Sequence, residues 1–347
     1  MSWIDELGLR WPILQAPMAG AQGVELAAAI AEAGGLGALP AAMLGPQALE
    51  AALHDYRGRT SRPLNVNAFC HRLPVPDPEA LQRWQAALAP YYAEYELEAP
   101  EPPAGPGRRP FDDAACEVLE AHRPAVVSFH FGLPAPELLA RVKAWGARVL
   151  STATTVEEAR WLAAHGADAI IAQGLEAGGH RGIFLSDDLT TQVGTLALLP
   201  QVVEAIDVPV IAAGGIAGPR SVAAALALGA SAVQVGTAFL ACPESTIGEL
   251  HRQALTSGEA RHTALTNLYS GRPARGIITR LMRELGPLSA LAPPFPLATA
   301  AVAPLRAAAE AAGCSDFSPL WAGQDSSGCR AVPAAEQLRW LAGQGAL

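Results

Sequence analysis

The stretch from Ala172 to Gly182, reading Ala-Gln-Gly-Leu-Glu-Ala-Gly-Gly-His-Arg-Gly, sets one titratable imidazole among glycines. Gly178, Gly179 and Gly182 permit positive φ and let backbone N–H groups approach a ligand closely, and His180 between them titrates near neutral pH. Gln173 closes the apolar run before them with a side chain that both donates and accepts hydrogen bonds. A histidine held this way after a buried strand is a candidate for proton transfer or ligand contact. Arg181 places a cation next to it.

Other residue types narrow the chemistry. Lysine occurs once, at Lys143 in a helix-like stretch, which argues against Schiff-base catalysis. The five cysteines, Cys70, Cys116, Cys242, Cys314 and Cys329, are scattered and form no CxxC pair, so neither a disulfide framework nor a metal site is expected. Cys242 reads as a buried, inert thiol. Asp187-Asp188 reads as a solvated pair. The net charge of -9 leaves no basic stripe for nucleic acid. No apolar run is long enough to span a membrane, and Met1 to Arg10 carries acids instead of the basic and apolar regions of a signal peptide, which predicts a cytoplasmic protein.

The elements that must position these groups alternate. Short apolar runs at Ile13–Ala16, Leu36–Leu39, Leu64–Asn67, Ala125–Phe129, Arg148–Ala153, Ala169–Gln173, Val208–Ala212 and Ala232–Val235 are separated by alanine-rich segments of helical period. Eight such units, with no GxGxxG after the first, predict an α/β fold of the (β/α)8 TIM-barrel type. Residues 1–245 are expected to form the barrel, with an insertion at about 73–110 containing a helix near 77–92 and a linker able to lie across the mouth. Residues 246–347 are expected to form a smaller, mainly helical cap.

In such barrels the chemistry gathers at the C-terminal ends of the strands. There stand Ala16, Pro17 and Met18, then Asn65, Asn67 and His71, and then His130, Gln173 and His180. Gly214 and Gly215 follow the seventh strand; Gln234, Val235, Gly236 and Thr237 close the eighth. Paired glycines before helix N-termini make a phosphate cradle of backbone amides and the Thr237 hydroxyl, or else ordinary tight turns. His71 either touches ligand or begins a loop. His130 faces the mouth or is only packed. Ser270-Gly271-Arg272-Pro273-Ala274-Arg275 either contacts an anion or packs between domains.

These segments together resemble the class I nitronate monooxygenases. The resemblance runs through Gln15-Ala16-Pro17-Met18, Gly34-Gly35-Leu36-Gly37, Asn65-Val66-Asn67 with Phe69-Cys70-His71-Arg72, Ser128-Phe129-His130-Phe131-Gly132, and the 172–182 stretch. It continues through Ala213-Gly214-Gly215-Ile216, Gln234 to Phe239, Ser270-Gly271-Arg272 and Trp321-Ala322-Gly323-Gln324. The glycine-rich parts are shared with flavin-dependent enoyl-acyl-carrier-protein and quinone reductases. The resemblance implies noncovalent FMN, with contacts from Ala16, Pro17, Met18, Asn67, Gln173, Gly178, Gly179, Gly214, Gly215, Gln234, Val235, Gly236 and Thr237. It implies His180 as the catalytic residue and an aromatic substrate pocket. His130, Arg181 and Arg272 are the further substrate candidates. The expected reaction is oxidative denitrification of an alkyl nitronate, propionate 3-nitronate being the family-level substrate, by O2 to a carbonyl compound and nitrite. The alternatives are an NAD(P)H-dependent reductase of a quinone or enoyl thioester on the same FMN site, and a flavin-binding protein without turnover.

Overall fold

Strands buried on both faces can satisfy their backbones only between parallel neighbours covered by helices. The computed structural model describes residues 3–75, 77–98 and 108–344. In it the apolar runs form β1 (Ile13–Gln15), β2 (Gly37–Pro40), β3 (Leu64–Phe69), β4 (Val126–His130), β5 (Arg148–Ala153), β6 (Ala169–Gln173), β7 (Val210–Ala213) and β8 (Ala232–Val235). All pair in parallel in the order β1-β8-β7-β6-β5-β4-β3-β2. The ring closes where Leu14 bridges Leu36. This is the expected TIM barrel, with each strand within two residues of its predicted bounds.

Leu14, Leu36, Val126, Leu150, Ile171, Ile211 and Ala232 pack together in one core cluster with Ile4 and Leu9 from the N-terminal segment. The helices pack closely on the strands. A Cβ on Gly37 would stand 2.1 Å from the carbonyl oxygen of Ala27, so only glycine lets helix Val24–Glu32 approach β2. Lys143 pairs with Asp168 at 2.9 Å, just before β6 and at the opposite end of that strand from Gln173.

The insertion contains helix Pro78–Glu94, started by Asp77, whose carboxylate accepts from the Ala80 amide at 3.0 Å. Its buried face, Trp84, Leu88, Tyr91 and Tyr92, packs on Ala298, Val302 and Leu305 of helix Ala298–Ala311. Arg280 holds Glu94 through both guanidinium ends at 2.6 and 2.8 Å. The insertion helix and the C-terminal residues thus share one core. Much of the segment expected to lie across the mouth, residues 99–107, falls outside the described residues.

Residues 246–347 differ from the expected helical cap in two ways. Strands Thr263–Thr266 and Ala274–Ile277 form an antiparallel ribbon, extended by the two-residue strand Gly179–His180 of the barrel. Ribbon and barrel loop supply each other's backbone partners, which neither short segment could find alone. Helix Ala334–Leu341 returns to the barrel, burying Ala334, Leu338 and Leu341 with Leu26, Ile30 and Val222. Among the described residues no helix is long and apolar enough to cross a membrane, and no group of His, Cys, Asp or Glu is placed to hold a metal ion. All five cysteines are free.

Candidate active site

His180 leaves the end of β6 and enters the ribbon opposite Ala274. Its carbonyl is held twice: Gln173 Nε2 donates to it at 3.0 Å and His130 Nε2 lies 3.1 Å away. Gln173 Oε1 accepts from the Gly182 amide at 2.8 Å, so one glutamine clamps both sides of the histidine. The carbonyl contact fixes His130 as a donor through Nε2, and its Nδ1 then accepts from Thr152 Oγ1 at 3.1 Å. Of the two ring nitrogens of His180, Nε2 lies 2.9 Å from Ser270 Oγ, while Nδ1 makes no hydrogen bond among the described residues.

Aromatic rings surround this imidazole. Phe295 and Trp321 stand 5.4 and 5.7 Å from its centroid, and Phe69 and Phe131 both stand 6.2 Å away. Phe131 adopts φ of 69°, a left-handed conformation rare for an aromatic residue and found where a site holds backbone strain. Gly271 opens the way for Phe295, since a Cβ there would lie 2.2 Å from the Pro293 carbonyl oxygen.

Two cations line the same box. The Arg272 guanidinium stacks 4.1 Å over Phe131 and donates through Nη2 to the Ile183 carbonyl, and its Nε has no partner among the described residues. Arg108 lies 5.8 Å over Phe295, with Nη1 bonded to Thr299 Oγ1 at 3.1 Å. Beside them His71 is buried, 4.7 Å from Phe295. Burial first, then the positive charges of Arg108 and Arg272 and the neighbouring imidazoles His130 and His71, hold His180 well below the ordinary histidine range. Burial likewise lowers His71 to about 4 and His130 to about 3. Neutral imidazoles therefore face a cationic, aromatic pocket near pH 7.

The other strand ends carry the glycines. Gly214 and Gly215 take φ of 110° and 66°, and Gly179 takes 70° with open space where a Cβ would be. The amides of Gly215, Gly236 and Thr237 donate to no protein acceptor among the described residues. Thr237 Oγ1 accepts from the Gly323 amide at 2.9 Å and keeps its own proton to give. Met18 and Ala16 close on Gly236, whose Cβ position lies 3.5 Å from Met18 Sδ and 3.3 Å from Ala16 Cβ. Val235 is buried, and its carbonyl accepts the Ala16 amide. Asn67 donates to Ser128 Oγ at 3.0 Å, and Gln234 Oε1 is buried with no hydrogen-bond partner among the described residues. Free amides beside positive-φ glycines suit a phosphate, and the orphaned Gln234 oxygen suits a ring N–H donor. The residues present therefore fit FMN.

One sequence expectation needs correction. Arg181 is fully buried and its guanidinium is spent on protein acceptors: Nη2 and Nη1 donate at 2.7 Å to the carbonyls of Gln173 and Gly174, and Nε donates to Gln192 Oε1 at 3.0 Å. Arg275, the other possible anion contact, is spent on the Leu175 carbonyl at 2.9 Å. Gly178 is also required for packing, because its Cβ would stand 2.6 Å from the backbone of Ala322 and Gly323. Sequence reasoning gave no site role to Phe69, Phe295, Trp321 or Arg108, and offered Ser270 only within a run that either contacts an anion or packs between domains. Ser270 and Trp321 sit in recognisable motifs, but Arg108 and Phe295 lie in proline-rich linkers without periodic signal.

A TIM barrel with unbonded amides after its last two strands and a histidine at the mouth serves several chemistries, and the relatives narrow it to a flavin oxidoreductase. The sequence model of the nitronate monooxygenase family matches residues 2–340. A nitronate monooxygenase of Pseudomonas aeruginosa is 44% identical over 337 residues, covering 96% of both chains. One of Paraburkholderia phytofirmans is 42% identical, covering 96% of this chain and 92% of its own. The crystal structure of a nitroalkane oxidase from Streptomyces ansochromogenes superposes with a TM-score of 0.90 at 44% identity, over 99% of this chain and 97% of that one. FabK from Thermotoga maritima is more distant, with a TM-score of 0.71 at 29% identity over 98% of this chain and 94% of its own. The chain belongs to the nitronate monooxygenase family.

Proposed function

We propose that this protein is an FMN-dependent nitronate monooxygenase acting on small nitronates that carry a second anionic group, with propionate 3-nitronate as the representative substrate. The observation behind this reading is the neutral His180 imidazole in an aromatic box, with Arg108 and Arg272 lying over two of its rings. Gly214, Gly215, Gly236 and Thr237 would hold the FMN phosphate. Ala16, Pro17, Met18, Asn67, Gln173, Gly178, Gly179, Gln234 and Val235 would line the remainder. Bound FMN supplies the electron acceptor through which the nitronate reacts with O2.

The chain's own residues do the rest. His180 takes the α-proton when a neutral nitroalkane enters, and the Arg272 guanidinium stabilises the nitronate charge that develops. The rings of Phe69, Phe131, Phe295 and Trp321 exclude water, which strengthens those interactions. The test is oxygen uptake and nitrite release by the FMN-loaded protein with propionate 3-nitronate, beside anaerobic mixing with NADH or NADPH. Uptake with stoichiometric nitrite and no flavin bleaching is expected. Rapid bleaching without nitrite would assign the site to a reductase instead, the alternative raised by the similarity to FabK. Normal FMN content with neither response would leave a flavin-binding protein without turnover.

Two variants probe the two halves of this site. Arg108→Glu should raise the apparent KM for propionate 3-nitronate about 10- to 100-fold, on the scale of a lost charged hydrogen bond of about 1.5–3 kcal/mol. Ethyl nitronate, with no second anion, should be nearly unaffected; equal losses on both would remove the carboxylate role. Gly214→Ala forces a side chain into φ of 110° and within 2.9 Å of Thr195 Oγ1. At a strain cost of about 1–3 kcal/mol, FMN should bind about 10- to 100-fold more weakly. Fluorescence titration of apoprotein with FMN measures this directly, and an unchanged affinity would remove Gly214 from the cradle.

A further inference from the structure

From the bonding around Ser270 we infer that this residue acts as a positioning residue, selecting the His180 tautomer protonated on Nε2 and leaving Nδ1 as the atom that accepts the substrate proton. The inference rests on His180 being the base, as proposed above, but it concerns a residue to which that reading gives no role.

The argument is a count of donors and lone pairs. A serine hydroxyl has one proton to give and two lone pairs to fill. Ser270 is buried, at 1% exposure, so all three valences have to be met inside the protein. Its Oγ lies 3.2 Å from the Arg272 carbonyl, which can only accept, and 3.4 Å from the Arg272 amide, which can only donate. The third neighbour is His180 Nε2 at 2.9 Å. If Ser270 gives its proton to the Arg272 carbonyl and accepts the Arg272 amide, its second lone pair requires a donor. His180 must then carry its proton on Nε2. The opposite tautomer would draw the hydroxyl proton to Nε2, strip the Arg272 carbonyl of this donor and leave a serine lone pair unfilled. A buried unmet polar group makes that arrangement the costlier one.

The surroundings keep the ring from holding both protons. The charged and titratable groups acting on it are Arg108 from the insertion, Arg272 from the cap, His130 at the end of β4 and His71 after β3, and all of them disfavour the imidazolium. The main chain is fixed independently of the ring, through the Gln173 and His130 contacts to the His180 carbonyl. Loss of the Ser270 hydroxyl should therefore change the tautomer without displacing the loop. With Nε2 occupied and Nδ1 free of hydrogen-bond partners among the described residues, proton abstraction is assigned to one atom.

The test uses FMN-loaded protein carrying ring-15N histidine, with two-bond proton–nitrogen correlation spectra at neutral pH and assignment of the His180 signals by comparison with His180→Asn. The wild type should show His180 protonated on Nε2, Ser270→Ala a mixture of tautomers or the Nδ1–H form, and Ser270→Thr the wild-type pattern. In parallel, Ser270→Ala should lower kcat/KM for neutral nitroethane about 10- to 100-fold, short of the roughly 100- to 10,000-fold worth of a general base, because the productive tautomer stays partly populated. Ethyl nitronate, already deprotonated, should lose less than about threefold, the scale on which no proton transfer is at stake. A wild-type His180 protonated on Nδ1, or a Ser270→Ala spectrum and nitroethane rate identical to wild type, would overturn the assignment. Because the tautomer is read without turnover, failure here is distinguishable from failure of the nitronate reading.

Discussion

Replacing His180 with alanine is expected to lower turnover of a neutral nitroalkane such as nitroethane about 100- to 10,000-fold, the usual range for loss of a general base. Oxygen uptake with preformed ethyl nitronate should fall much less, because that substrate arrives without the proton. The pH profile supplies a second readout. Burial and the charges of Arg108 and Arg272 depress the His180 pKa well below 6.5, so the free enzyme keeps the basic form through neutral pH. On neutral nitroalkane, kcat/KM should stay flat as pH falls to about 6.5, the unperturbed histidine value, and drop only below it. In Arg108→Glu one depressing charge becomes an attractive one, and the inflection should move upward. A His180→Ala protein losing equal activity on both substrates would mean that the imidazole positions the nitronate and does not remove a proton. An inflection above 6.5 in the wild type would mean that substrate-free His180 is not desolvated as the aromatic box implies.

Much of the fold was legible because the strands carry a strong physical signature. Runs such as Ala169–Gln173 are apolar along their whole length, as strands buried on both faces must be, and their spacing leaves room for one helix each. The paired glycines after β7 were legible as backbone features for a related reason: Gly214 and Gly215 sit where only residues tolerating positive φ fit. What escaped was chemistry made by contacts distant in sequence. Ser270 meets His180 across ninety positions, through a ribbon in which His180 contributes half of a two-residue strand, too short to leave a periodic trace. Phe295 and Arg108 come from proline-rich connections, where periodicity is silent about direction. Arg181 was misleading in the opposite sense. A cation beside a catalytic histidine reads as a substrate contact until the geometry of its carbonyl partners is known.

That buried arginine carries the second large effect. Its guanidinium fork ties the end of β6 to the loop that follows, bonding the carbonyls of Gln173 and Gly174 and the side chain of Gln192. Gln192 passes the connection on, its Nε2 donating to Thr154 Oγ1 at 2.9 Å, and Thr154 in turn donates to the buried carboxylate of Glu158 at 2.6 Å. The other Glu158 oxygen accepts the Phe184 amide at 2.6 Å, so the network closes around the His180 loop from both sides. Burial lowers the Arg181 pKa to about 10, which still leaves it charged at neutral pH. The charge is matched by acceptor dipoles and has no directly bonded carboxylate. Arg181→Met keeps much of the volume but abandons three buried acceptors. It should destabilise the protein by about 3–5 kcal/mol, comparable with breaking a buried ion pair. Arg181→Lys should recover little, because an ammonium cannot reproduce the planar fork. Chemical denaturation of the FMN-loaded variants, followed by circular dichroism, reads the loss. FMN should also dissociate more readily, since Gln173 and Gly179 sit on the released loop. A methionine variant within about 1 kcal/mol of wild type, the net worth of one ordinary hydrogen bond, would show that water replaces the fork and that Gln173 alone holds His180 in place.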